Sequence, residues 1–249
     1  MNWLPDLIGV DTALLLIVTS TLTSMLTAAM GIGGGVLLLA VMATVVPAAA
    51  LIPVHGLVQL GSNGNRALLT REHIDWSLLR LFLLGAVMGS VVAYFVVVQL
   101  PVELIQLCVA GFILFLVWGP KLGKQQIPPA GLVLAGAGTT LLTMFVGATG
   151  PLVAAFVHRL GYEKYRVVAT FAACMTVQHL LKMVVFGLIG FAFSDWLVLI
   201  VMMVMGGFAG TWIGLHILKK VPAERFQIIF RLVVTGLALR LIWQVFSAA

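Results

Sequence analysis

Polar side chains are scarce in the apolar stretches of this chain, and those present are spaced to act together. His55, Gln59, Ser62 and Arg66 recur at i, i+4, i+7 and i+11. At about 100° per residue these positions share one helical face. Asn63 and Asn65 flank that stripe, and Gln178, His179 and Lys182 share a face of a later apolar segment. All of these can donate hydrogen bonds, and Lys182 adds a positive charge. Every Asp and Glu (Asp6, Asp11, Glu72, Asp75, Glu103, Glu163, Asp195 and Glu224) lies near a segment end or in a loop. No carboxylate is therefore placed to bind a cation or relay a proton at mid-depth. Donors, one cation and no carboxylate suit an anion. If a proton moves with it, His55 or His179 is the candidate carrier, because imidazole titrates near neutral pH.

Two glycine clusters complete the candidate site. They are MGIGGG at Met30–Gly35 and VGATGP at Val146–Pro151. Glycine permits positive φ and close approach to the backbone, and a helix starting behind such a break presents unpaired N–H groups to an anion. Gly33, Gly34, Gly35, Gly147, Thr149 and Gly150 are the candidates here. Gly85-x-x-x-Gly89 and Gly206-x-x-x-Gly210 read instead as close helix packing.

These groups must be positioned by helices in a membrane. The chain is 62% hydrophobic and 9% charged, against about 25% charged in ordinary soluble domains. The apolar segments are 12–30, 36–50, 51–69, 77–99, 102–119, 130–147, 150–158, 166–190, 195–217 and 224–246. Several reach the roughly 20 residues that cross a bilayer, and none alternates as a barrel strand would. The start, MNWLPDLIGVD, has no basic region or cleavage site of a signal peptide. Cys108 and Cys174 lie in separate apolar segments and read as small buried hydrophobes. No metal or other cofactor is expected. The net charge of +6 is spread over helix ends, as in an inner-membrane protein, and does not point to nucleic acid.

The chain repeats itself. Asp75-Trp76 returns as Asp195-Trp196. Gly85, Gly89, Pro101 and Glu103 return as Gly206, Gly210, Pro222 and Glu224, 121 residues on. Gly31 and Gly34 return as Gly147 and Gly150, 116 residues on. The division is 1–120 for the first repeat, 121–129 for a cytoplasmic linker and 130–249 for the second repeat. Lys and Arg mark the inside loops: Arg66, Arg71 and Arg80, then Lys121 and Lys124, then Arg159, Lys164 and Arg166, then Lys219, Lys220 and Arg225. Two successive inside loops make 130–158 a hairpin that enters and leaves on one face, and 12–50 its counterpart from outside. The expectation is an all-α membrane protein of 8–10 helical segments. It has two inverted repeats, each a broken or re-entrant hairpin plus three transmembrane helices, with both termini outside.

In these motifs and their order the chain resembles the sulfite exporter TauE/SafE family of bacterial membrane permeases. The residues that carry the resemblance are MGIGGG, IDW at Ile74–Trp76, VGATGP and the second Asp-Trp. The resemblance implies transport of sulfur-containing anions such as sulfite, sulfoacetate or other organosulfonates. It places the protein in the bacterial inner membrane, and a homo-oligomer is left open as a partner. A sulfonate head accepts many hydrogen bonds, which glycine N–H groups, amides and one lysine can supply. The expected function is a secondary transporter, an exporter, alternating access around the two glycine tips. The alternatives are a channel-like or uptake permease for a thiosulfate-like anion, and an intramembrane serine hydrolase built on Ser62 with His55 or His179. GSNG is a weak match to a nucleophile motif, so no enzyme is expected.

Overall fold

The computed structural model describes residues 4–5, 8–30, 33–97, 102–119, 128–158 and 160–217, and near the C-terminus 232, 235–240, 242–243 and 245–247. Among these, every regular element is helical. Gly31, Pro101, Arg159, Lys219, Lys220, Pro222, Glu224 and Arg225 lie outside the described residues. So do nearly all of the expected linker and much of the expected last segment.

The first half holds α1 (Val10–Met30), α2 (Gly34–Val45), α3 (Ala48–Leu69), α4 (Trp76–Val97) and α5 (Val102–Trp118). The second holds α6 (Pro129–Val146), α7 (Gly150–His158), α8 (Lys164–Leu188) and α9 (Leu197–Ile217). Stretches of α1, α4, α6, α8 and α9 are long and apolar enough to cross a membrane. With 12 and 9 residues, α2 and α7 span only about 18 and 13 Å of a hydrocarbon layer about 30 Å thick.

Both breaks lie at the glycine clusters, for a local reason. Gly33 precedes α2 at φ 105° and Gly147 ends α6 at φ 81°, a region that a side chain disfavours. The chain then folds back. A Cβ at Gly34 would overlap the Thr23 carbonyl and the Thr27 hydroxyl, so the start of α2 lies against α1. A further boundary differs from the sequence expectation. The division expected between residues 50 and 51 falls at Val46–Pro47. Val46, before the proline, is extended (φ −100°, ψ 136°), because a residue preceding proline is pushed out of the helical region.

Packing is reciprocal between the halves. The most extensive helix pairs are α1 with α9 and α4 with α6, followed by α3 with α8. A Cβ at Gly85 would overlap the Val133 carbonyl, and one at Gly89 the Ala137 carbonyl. In the other pair Gly206 lies against Ile17 and Thr21, and Gly210 against the Thr21 carbonyl. Moving Ile17 and Thr21 on by 116 residues gives Val133 and Ala137. Both of these pairs run parallel. In the centre Gly56 meets Lys182 while Gly64 meets Thr176, so α3 and α8 run antiparallel. The glycine pairs thus let backbones touch, as close packing requires.

Polarity is turned inside out relative to a soluble domain. Leu84, Met88, Val91 and Phe95 present one broad exposed face of α4, while Ser20, Thr140, Thr143, Gln178 and Lys182 are buried. An apolar outer surface is at home in lipid, where the backbone must be satisfied within the protein.

Candidate functional site

The two breaks and the central helix pair line a partly open cavity. Gly33, Gly35 and Val36 line it from the first break, and Ala148, Gly150 and Pro151 from the second. His55, Gln59 and Asn63 face it from α3, while Phe171, Met175 and His179 face it from α8, with Thr27 of α1 completing the wall. Its volume is about 40 Å³, on a scale where one water takes about 10–15 Å³. That is room for a compact guest of a few heavy atoms. Among the described residues, no Asp or Glu lines it.

On α3 the cavity follows the i, i+4, i+8 ridge. Asn63 is in the wall and the half-buried Ser62 is not. The ridge is internally tied. Asn63 Nδ2 donates to the Gln59 carbonyl at 2.9 Å and to Gln59 Oε1 at 3.3 Å. His55 Nε2 is 2.9 Å from the Gly35 carbonyl oxygen, joining α3 to the first break. Thr27, Phe171 and Met175 are wall residues that spacing arguments missed. Phe171 and Met175 look like ordinary helix core, and only the fold brings them to the cavity.

Behind the wall, α8 grips the second break. Gln178 Nε2 donates to Thr139 Oγ1 at 2.7 Å and Thr140 Oγ1 at 3.1 Å, and its Oε1 accepts from Thr149 Oγ1 at 3.2 Å. Lys182 is fully buried. Its ammonium donates to the Gly147 carbonyl at 2.8 Å and to Thr143 Oγ1 at 3.0 Å. It therefore caps α6, where the helix dipole favours a cation. Its stem passes Gly56, where a Cβ would come within 2.6 Å. Among the described residues the ion pairs are Arg166–Asp75 and His73–Glu72, so no carboxylate there pairs with the Lys182 charge. Gly34, Gly147, Thr149, Gln178 and Lys182 thus surround the cavity without lining it.

The second break offers few amide donors. Pro151 has no N–H, and the N–H groups of Leu152 and Val153 already bond the Thr149 carbonyl. The first has no proline, and no side chain caps α2.

Outside the membrane-spanning segments one carboxylate ties two loops together. Asp75 Oδ1 accepts from the Ser77 and Leu78 N–H groups at 3.0 Å, and its own N–H donates to Thr170 Oγ1 at 3.0 Å. Asp75 Oδ2 accepts from the Tyr162 hydroxyl and from Arg166 Nη2, the latter at 2.8 Å. Partial burial pushes this carboxyl up, but the Leu78 N–H, Tyr162 and Arg166 together outweigh it and hold it below the usual carboxylate range.

Long apolar helices, two helices broken by glycine and a polar interior define a multi-pass helical membrane protein built around a small internal cavity. The chain belongs to the sulfite exporter TauE/SafE family, whose model matches residues 16–241, nearly its whole length. That family consists of membrane transporters, so transport across a membrane is the activity assigned at this level. No curated protein and no solved structure matches the chain.

Proposed function

We propose that the protein is a secondary transporter of a small sulfur-containing anion, an exporter in the bacterial inner membrane, that alternates access around the two glycine breaks. One observation carries this reading: both breaks line one cavity whose wall combines imidazole, amide, hydroxyl and glycine groups with apolar side chains and, among the described residues, no carboxylate. Gly33, Gly35, Gly150, His55, Gln59, Asn63 and His179 would meet the guest. Gly34, Gly147, Thr149, Gln178 and Lys182 would support that wall from behind. The small volume favours sulfite, or the bare head of a sulfonate, over a long-tailed substrate.

Two inverted repeats, each a broken hairpin with three crossings, provide the moving parts. The reciprocal glycine contacts and the antiparallel central pair support that arrangement. A two-fold axis across α3 and α8 exchanges α1·α9 with α6·α4 and reverses the direction of each repeat. Both termini then lie outside.

Purified protein in proteoliposomes on a solid-supported membrane tests the assignment. Addition of sulfite or sulfoacetate should give transient currents or, for an electroneutral cycle, tracer flux above protein-free vesicles. Neither signal across a panel of sulfur anions would remove the substrate class.

A further inference from the structure

His55 holds the first break with one ring nitrogen and keeps the other spare. A carbonyl oxygen only accepts, so the 2.9 Å contact to Gly35 places the proton on His55 Nε2. The Gln59 amide nitrogen, 3.5 Å from the same atom, is too far to compete. In the neutral ring Nδ1 is then a bare acceptor, and it is buried without a partner. A bare acceptor repels the oxygens of an anion. With a proton on Nδ1 the ring donates from both nitrogens and keeps its bond to Gly35.

The surroundings decide when that proton is welcome. From α8, the His179 ring stands edge-on to His55 with centroids 6.3 Å apart, its own Nδ1 also buried and unpartnered. Lys182, also from α8, passes beside Gly56, the next residue after His55. Neither α2 nor α6 carries a titratable side chain. Glu103 and Cys108 of α5 and Asp195 before α9 do not line the cavity. Among the described residues, no carboxylate in the wall offsets a second positive charge near Lys182. A guest anion does, so anion and proton each favour the binding of the other.

We propose that the cavity takes up its anion together with one proton, held at His55 Nδ1. The proposal rests on the transport reading above and adds the stoichiometry and the atom. The pair enters with no net charge, which lowers the cost of holding it in a low-dielectric interior.

Isothermal titration of the purified protein with methanesulfonate, which has no proton to give near neutral pH, tests this. Run near pH 8 in two buffers of different ionisation enthalpy, it should show about one proton taken up per anion bound. Affinity should fall about tenfold per pH unit on the alkaline side. His55→Gln keeps an amide donor for the Gly35 carbonyl; it should bind more weakly, without proton uptake and with a flat pH profile. His179→Gln, which also alters the wall, should bind more weakly yet still take up one proton per anion bound. Binding without uptake in the unaltered protein overturns the proposal and leaves the transport reading standing. Failure of both methanesulfonate and sulfite to bind overturns both. If His55→Gln does not fold, the His179→Gln variant decides: loss of uptake there moves the proton to His179 and overturns the assignment.

Discussion

Three consecutive glycines at the first break should fail in three different ways. At Gly34 a Cβ would run into the Thr23 carbonyl, which is backbone, and the Thr27 hydroxyl. Relief requires α1 and α2 to part by about 1.4 Å to reach ordinary contact. Overpacking of this kind costs about 1–3 kcal/mol, against about 1 kcal/mol of helix propensity gained over glycine. Gly34→Ala should therefore lower the melting temperature in detergent. At Gly35 the Cβ would lie 2.8 Å from Gln59 Nε2 and 3.3 Å from its Cδ, the far end of a flexible side chain. A rotamer change costs about 0.5–1.5 kcal/mol and is largely offset by propensity, so the melting temperature should hardly move. The displaced Gln59 amide, however, is part of the cavity wall. Losing one hydrogen bond to an ionised guest should cut methanesulfonate affinity by about tenfold, or ~1.4 kcal/mol. At Gly33, with φ 105°, any Cβ meets backbone strain of about 1–2 kcal/mol, so both readouts should suffer. Scanning fluorimetry and titration calorimetry on the three variants separate these outcomes. Equal destabilisation by Gly34→Ala and Gly35→Ala, with affinity unchanged in both, would show that the cluster serves packing alone and would refute the reasoning.

Lys182→Met should cut anion affinity at least tenfold without lowering the melting temperature, measured in the same two assays. Thr143 Oγ1 still bonds the Gly147 carbonyl at 3.1 Å, and removing an unpaired buried charge is often neutral or stabilising; unchanged affinity would reduce the lysine to a helix cap. The Asp75 carboxyl is held below its usual range, so its contribution is present above that range and lost as pH falls through its folded value. Asp75→Asn should flatten the acid side of the stability–pH curve in thermal melts, by no more than about 1 kcal/mol because Arg166 is half exposed. Ser62→Ala should leave transport in proteoliposomes intact, since Ser62 does not line the cavity; total loss would revive the hydrolase reading. Gly89→Val and Gly210→Val should lower the melting temperature by similar amounts, because each glycine meets a backbone carbonyl in the reciprocal helix.

Much of this architecture was legible because lipid leaves few choices. Long apolar runs with charges at their ends read directly as helices, and the glycine breaks and the packing role of Gly85, Gly89, Gly206 and Gly210 followed from residue type. Less legible was the depth of each polar group. Helical periodicity puts Ser62 nearer to His55 in angle than Asn63, yet the cavity takes Asn63, because its wall runs along an inclined ridge and not straight up the helix. Thr149 is equally instructive. Read alone it is a free hydroxyl at a break; in the fold it is tied to Gln178, 29 residues away. Periodicity along one helix carries no information about which partner stands opposite, so the division between wall and support emerged only from tertiary contacts.

That division has a consequence for turnover. Lys182 stands behind the wall, bonded to the Gly147 carbonyl, and the polar side chains that line the cavity, beside apolar Val36, Ala148, Pro151, Phe171 and Met175, are one hydroxyl, two amides and one imidazole pair. With an effective dielectric of about 20, a unit charge about 4 Å from an anion contributes about 4 kcal/mol, and at twice that distance about 2. A permanent contact ion pair would hold the guest tightly and release it slowly, whereas on the reading proposed above the His55 charge is lost with its proton. A charge at one remove still selects for anions, while neutral hydrogen bonds can be exchanged for water as a path opens. Passage requires binding strong enough to admit the guest and weak enough to let it go. On the transport reading proposed above, Lys182 under the second break, and not in the cavity, would meet both demands. It also links the charge mechanically to the break, because the carbonyl that Lys182 holds belongs to the glycine on which α6 ends.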